Sequence, residues 1–257
     1  MIQDDFSDAD WRTNLAEFPV PISVENDPLL SKTLSLILEG KRIPRELGVE
    51  LHREAPLPGL ASLADSIKMS RFGKNIFFNE NLHVNTTNVC ILACRFCAFR
   101  RGARSDDAYS LSPEELISRI SPFSNIIDEV HAVGGLHPEW TVDDYVKIYQ
   151  MSKKEFPNIN IKSLTAVEVK HLSKKSGITV FETLRILKNA GLDSLPGGGA
   201  EILVDKIRDR ICRGKETSSE YLEIHDIAHS LGIPTNCTML FGTIESIEDR
   251  VTHLDKL

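Results

Sequence analysis

The stretch Cys90-Ile-Leu-Ala-Cys94-Arg-Phe-Cys97 decides how the chain is read, because it sets three thiols at spacings of four and three on one short segment. A strand is predicted just before it, at Leu82–Asn85, so the thiols stand on a loop at that strand's carboxyl end. Three thiolates on one loop can hold three irons of a [4Fe-4S] cube and leave the fourth iron open to an external ligand. Two blander readings stay open at this point: zinc completed by a distant Cys or His, and buried cysteines without any ligand.

Outward from this loop, short β-type runs alternate with helices from residue 76 onward. Strands are predicted at Ile76–Phe78 with Leu82–Asn85, at Glu129–Gly134, Ile159–Thr165, Leu192–Leu195 and Thr235–Phe241. Ser112-Pro-Glu-Glu115 has the form of a capping box with proline at the first helical position, opening the apolar spacing Leu116, Ile117, Ile120. Thr179–Glu182 and Thr217–Glu220 repeat that signal, and Gly177, Gly191 and Gly232 fall where helices should end. Regular alternation implies parallel strands joined by right-handed crossovers. The expectation is therefore an α/β fold, as an open sheet or an incomplete barrel. Before it, Leu29, Leu30, Leu34, Ile37 and Leu38 share a helical face with Gly40 as a stop, and Pro44, Pro56 and Pro58 break the chain. Residues 1–75 thus read as a helical lead-in packed on the core, and residues 76–257 as the core itself.

Composition narrows the function. The chain has 257 residues, 41% hydrophobic and 26% charged, enough to bury a core, and its net charge of −7 argues against a sequence-independent nucleic-acid binder. The acidic start lacks the basic and apolar regions of a signal peptide, and Leu34–Leu38 is far shorter than the roughly 18 residues needed to cross a bilayer. A cytoplasmic chain with no membrane partner is expected. Five cysteines are an odd number, which disfavours a disulfide framework, and Cys212 and Cys237 are expected to be structural.

Three glycine-bearing turns follow predicted strands. Val133-Gly134-Gly135-Leu-His137-Pro-Glu139 allows close backbone approach, or is only a tight turn. Pro196-Gly-Gly-Gly-Ala-Glu201 exposes several N–H groups, a nest for carboxylate or phosphate oxygens, but lacks the P-loop ending. Gly242-Thr-Ile244-Glu closes the fifth strand. Thr165-Ala-Val-Glu168 ends the third, with Glu168 either facing the rim or starting the next helix. A competing metal hypothesis rests on His225 and His229, which share a helix face as zinc-protease histidines do. Asp226 stands where the glutamate should be, so packing histidines are favoured.

The cysteine spacing, with Phe96 just before the third cysteine, resembles the signature of radical S-adenosylmethionine (SAM) enzymes. The resemblance implies a partial (β/α)6 TIM-like radical SAM barrel with an N-terminal helical lead-in, and a [4Fe-4S] cluster on Cys90, Cys94 and Cys97 whose open iron chelates SAM. It also implies that Phe96, Gly134, Gly135, Glu201, Gly242 and Ile244 contact SAM. From roughly Asn85 to Leu254 the chain is similar to the futalosine-pathway and deazaflavin-cofactor group, and most like aminodeoxyfutalosine synthases. The phrases that carry this are His131–Pro138, Thr165–Glu168, Ile211-Cys212 with Lys215, and Asn236–Gly242; Cys97–Arg100 and Pro196–Ile202 are shared with the sister dehypoxanthine futalosine cyclases.

The implied reaction consumes SAM as co-substrate. It adds the 5′-deoxyadenosyl radical to the enol ether of 3-[(1-carboxyvinyl)oxy]benzoate, with Arg100, His137 or Lys215 holding the aryl carboxylate and a flavodoxin- or ferredoxin-type protein as reductant. Two departures stand out. Thr243 replaces the family's histidine, and the family continues past the equivalent of Leu257 into a sixth strand. A truncated or split product, completed by a second chain, or an inactive remnant is therefore expected.

Overall fold

A computed structural model describes residues 10–17 and 20–257. The chain divides into two compact units: one holds the helices before Phe78 together with Ser246–Leu257, the other is Asn79–Glu245. In the first, α1 (Asp10–Glu17), α2 (Ile22–Glu25), α3 (Pro28–Leu38), α4 (Arg45–Glu54) and α5 (Leu57–Phe72) follow one another. The α3 start is fixed by Asp27, whose carboxylate accepts from the N–H groups of Leu29 and Leu30, with Pro28 supplying a first helical residue that needs no partner. Val24, Leu30, Leu47, Leu51 and Leu63 form the core. Gly59 lets α5 approach α3, since a Cβ there would lie 2.6 Å from a Leu30 methyl.

In the second unit β1 (Asn81–His83), β2 (Glu129–Ala132) and β3 (Asn160–Ser163) form a parallel sheet in that order. Leu82 is level with Val130 and Val130 with Ile161, so one row of apolar side chains crosses the sheet. Helices α6 (Pro113–Ile120), α7 (Val142–Glu155), α8 (Ala166–Ser176), α9 (Val180–Ala190) and α11 (Ser218–Ser230) bury Leu116, Tyr145, Val169, Leu184, Leu187 and Tyr221 with it, while α10 (Asp205–Ile211) places Ile207 and Ile211 in a separate cluster with Ile202 and Cys212. Capping boxes open α6 from Ser112, α9 from Thr179 and α11 from Thr217, as the sequence reads, and also α7 from Thr141 and α8 from Thr165. Gly177, Gly191 and Gly232 all take positive φ at or just beyond helix ends.

The strand expectations need correction. Ile76–Phe78 is no strand, and Ile76 and Phe78 are 83% and 84% exposed. The fourth and fifth strands shrink to single parallel bridges, Lys162 to Ser194 and Leu195 to Thr235. Proline is the reason: Pro196 and Pro234 carry no N–H, so neither run can extend its ladder beside Leu195. The strands also stop short of Asn85, Gly134 and Thr165, because Thr165 is already the cap of α8.

The last helix, α12 (Ile247–Lys256), was assigned by sequence to the core but groups with the first unit, packed on α4. Arg53 pairs there with Glu248, and Arg45 donates to the Thr252 hydroxyl at 3.0 Å.

Candidate cofactor site

The cysteine loop is fixed by backbone hydrogen bonds from several directions. Thr87 Oγ1 donates to the Tyr109 carbonyl at 2.7 Å, and the buried Asn88 side chain bonds Asp107 and Tyr109. Cys90 N–H donates to Arg101 O and Arg101 N–H returns to Asn88 O, at 3.0 and 2.7 Å. Ile91 N–H then meets Leu136 O of the loop after β2, and Arg95 N–H meets Ile211 O at the end of α10, at 3.1 and 2.8 Å. Cys97 N–H closes a turn onto Cys94 O. Cys90, Cys94 and Cys97 are thus presented half-buried and undisulfided on a segment that cannot drift.

Three thiols on one short loop are the donor set that a [4Fe-4S] cube uses, one thiolate to each of three irons. Among the described residues no group of three His, Cys, Asp or Glu side chains is disposed to hold a single metal ion. Burial pushes the Cys94 thiol up, Lys215 acts against it, and Cys90, Glu201 and Cys97 raise it further, so these four groups lie within electrostatic range of Cys94. Ligation to iron in place of a proton would relieve that cost.

Gly135 lies flat against this loop. A Cβ on it would overlap the Val89 carbonyl and come within 2.8 Å of Cys90 Cβ; one on Gly134 would lie 2.7 Å from Thr86 Oγ1. The glycine pair therefore packs under the first cysteine. Gly134 N–H donates to Glu168 Oε1 at 2.9 Å, while Oε2 accepts from the N–H and hydroxyl of Thr165, both at 2.7 Å. Burial raises the Glu168 pKa against these hydrogen bonds. Of the two sequence readings of Glu168, helix start is correct, with a second job that sequence missed.

The Pro196–Glu201 loop is held from outside. Arg208, 3% exposed, donates to Gly199 O and Ala200 O and pairs with the buried Glu216 at 3.0 Å. Gly197 O accepts from Tyr221 OH and Thr238 Oγ1 at 3.1 and 2.8 Å. The loop ends at Glu201 in the left-handed region, φ 49°, a conformation costing a side-chain-bearing residue about 1 kcal/mol. Lys215 Nζ bonds Glu201 Oε1 at 2.7 Å and stands 5.7 Å from the Phe96 ring centre.

Phe96, Glu201, Lys215 and Cys94 are thus brought together, and Lys215 is half of an ion pair rather than an unpaired cation. Burial works to lower its pKa, but Glu201 prevails and holds it above the usual lysine value. Arg100 and His137 have other surroundings. Arg100 Nε is buried without a hydrogen-bond partner, and His137 stacks on Trp140 at 4.8 Å while its Nδ1 accepts from Glu139 N–H. Gly242 and Ile244 lie on a turn where Glu245 accepts from Gly242 N–H and from both donors of Thr243, at 2.6 to 2.9 Å. The segment leading into this turn is tied to the site by Leu240 N–H donating to Glu201 O at 2.8 Å.

His225 and His229 both bond the Thr235 hydroxyl, at 3.0 and 2.8 Å, and His225 stacks on Tyr221. Both rings are thus engaged at the fifth sheet position, and among the described residues no third His, Cys, Asp or Glu joins them in a metal-holding group. Sequence reasoning missed Arg208, whose signal was a charge set between Ile207 and Ile211 on an apolar face.

Residues 84–257 match the family model of the radical SAM superfamily. The chain is 38% identical over 232 residues to the aminodeoxyfutalosine synthase of Thermus thermophilus, covering 90% of this chain and 62% of that protein. It is 41% identical over 195 residues to the 5-amino-6-(D-ribitylamino)uracil–L-tyrosine 4-hydroxyphenyl transferase of Methanopyrus kandleri, covering 76% and 53%. The chain therefore spans between half and two thirds of the length of these relatives. Among solved structures, methylornithine synthase superposes with a TM-score of 0.66 at 18% identity, over 86% of this chain and 62% of that one, which shows the fold to be a partial parallel α/β barrel. A match that takes in the cysteine loop, the glycine pair beneath it and every parallel position after β1 makes this chain a member of the radical SAM superfamily of enzymes.

Proposed function

We propose that the chain is an aminodeoxyfutalosine synthase, forming 6-amino-6-deoxyfutalosine and bicarbonate from SAM and 3-[(1-carboxyvinyl)oxy]benzoate, a step toward menaquinone. The observation that carries the reading is the backbone-clamped loop of Cys90, Cys94 and Cys97, with Cys90 against Gly135, joined to 38% identity with a synthase of that name. When bound, the cluster and SAM supply a 5′-deoxyadenosyl radical by one-electron cleavage of the sulfonium.

This chain's residues then have three tasks. Cys90, Cys94 and Cys97 hold the cluster. Phe96, Gly134, Gly135 and Glu201, with Gly242 and Ile244 along the segment tied to Glu201, are assigned to contact SAM. The Lys215–Glu201 pair sets a fixed dipole beside Cys94, so an incoming carboxylate meets Lys215 already oriented and little reorganisation is needed. Arg100, with its buried and unpartnered Nε, is the cation we assign to the aryl carboxylate. A second reading is favoured by one observation, the 41% identity to a hydroxyphenyl transferase: a reaction of L-tyrosine in deazaflavin-cofactor synthesis.

The test is anaerobic reconstitution with iron and sulfide, then incubation with SAM, dithionite and the carboxyvinyloxybenzoate, read by mass spectrometry. An adenosyl adduct with release of methionine is expected. Product only with L-tyrosine and 5-amino-6-(ribitylamino)uracil would replace the first reading with the second. Cys94→Ser is expected to lose SAM cleavage and most bound iron, and cleavage that survives would reject the ligand assignment.

A further inference from the structure

Beside the cysteine loop, on the side of α10, lies a recess of about 410 Å³ lined by Ala93, Arg95, Asp209, Arg210, Ile211 and Arg213. The backbone builds it: Arg95 N–H is bonded to Ile211 O, and Gly214 fits against Leu92, where a Cβ would lie 3.2 Å from a methyl. Arg208 of the same helix turns inward to the glycine loop, which leaves Arg210 outward. Arg95, Arg210 and Arg213 are exposed, and among the described residues none of the three forms an ion pair. Asp209 is the single acid in the lining. On a chain of net charge −7 this is a local reversal of sign, and Arg95 is covalently next to Cys94.

We propose that this recess is the docking face for an acidic one-electron carrier protein. The inference rests on the reading of Cys90, Cys94 and Cys97 as cluster ligands. Two net-negative proteins repel at long range, so productive encounter needs a patch of opposite sign, and that patch fixes which face meets. Here it fixes the carrier against the cysteine loop, on the face that Arg95 shares with Cys94. The transfer is one electron out of the reduced carrier, oxidising it by one unit, and into the cluster; no bond or proton is exchanged.

The experiment uses the reconstituted full chain and a reduced flavodoxin as the probe. Arg210→Glu/Arg213→Glu is expected to weaken flavodoxin binding at least tenfold at low salt by calorimetry, and to flatten the salt dependence that the unmodified chain shows. Iron content and dithionite-driven SAM cleavage should be unchanged, while flavodoxin-driven cleavage falls in step with binding. Arg210→Lys/Arg213→Lys, which keeps the charge, should bind nearly as the parent does, and Arg95→Gln should lose part of the affinity. Equal binding by parent and charge-reversed chains would overturn the proposal, as would inorganic phosphate filling the recess of a chain that binds no flavodoxin. Failure of dithionite to drive cleavage in the parent would instead defeat the cluster reading, and the binding comparison would still decide the docking face.

Discussion

Two irregular loops of the α/β unit, Cys90–Cys97 and Pro196–Glu201, are held by opposite means. The cysteine loop hangs on main-chain hydrogen bonds to Arg101, Leu136 and Ile211. The glycine loop accepts main-chain bonds from Thr238 and Leu240 at Gly197 and Glu201, and between them it is gripped by the side chains of Arg208, Tyr221 and Thr238. A backbone-held loop tolerates side-chain change so long as backbones can still touch. A side-chain-held loop is exposed to single substitutions lying well outside it.

The largest effect that follows is at Arg208. Arg208→Met strands Glu216, 2% exposed and already pushed toward protonation by burial, and removes the donors to Gly199 and Ala200. A loss of about 3–5 kcal/mol is expected in urea unfolding, partly recovered in Arg208→Met/Glu216→Met. If the single change costs under about 1 kcal/mol, the side-chain grip is not what holds the glycine loop.

On the other side of the comparison, Gly135→Ala adds one methyl where two backbones meet. A cost of about 1–3 kcal/mol is expected, together with less iron per chain after reconstitution. Ile91→Ala, on an exposed side chain of the loop, should leave both nearly unchanged.

A third measurement uses pH. Burial, then the neighbouring His229, lower the His225 pKa to about 4 from an ordinary 6.5, so the folded state keeps it neutral while the unfolded chain takes up a proton. The stability it lends is complete above pH 6.5 and drains away as the pH falls toward 4. Between about pH 7.5 and 5 the loss should be about 2 kcal/mol larger than in His225→Gln. Identical slopes would mean that the ring titrates alike in the folded and unfolded chain.

The smallest effect is expected at Tyr221→Phe, which removes one hydrogen bond to Gly197 O and keeps the ring stacked on His225. Thr238 still serves that carbonyl, so the change in unfolding free energy should be about 1 kcal/mol.

Sequence revealed the local parts of this molecule. Ser112, Thr179 and Thr217 announced helix starts because a capping box is written within four residues, and the cysteine tripod was legible for the same reason. The fourth and fifth strands were overcalled because apolar runs at Leu192–Leu195 and Thr235–Phe241 outweighed the prolines beside them. Lys215 was read as a cation for substrate, since its partner Glu201 lies fourteen residues away and meets it through the fold. The link from Glu168 to Gly134 spans 34 residues and leaves no local mark at all.

That carboxylate also ties two consecutive β-turn-helix modules into one cooperative block. Its three donors come from both sides, so the first turn of α8 cannot fray without stranding the Gly134 amide. Deuterium uptake at Gly134 should therefore keep time with the opening of α8, and the seat of the first cysteine inherits the slow clock of a helix rather than the fast one of a surface turn.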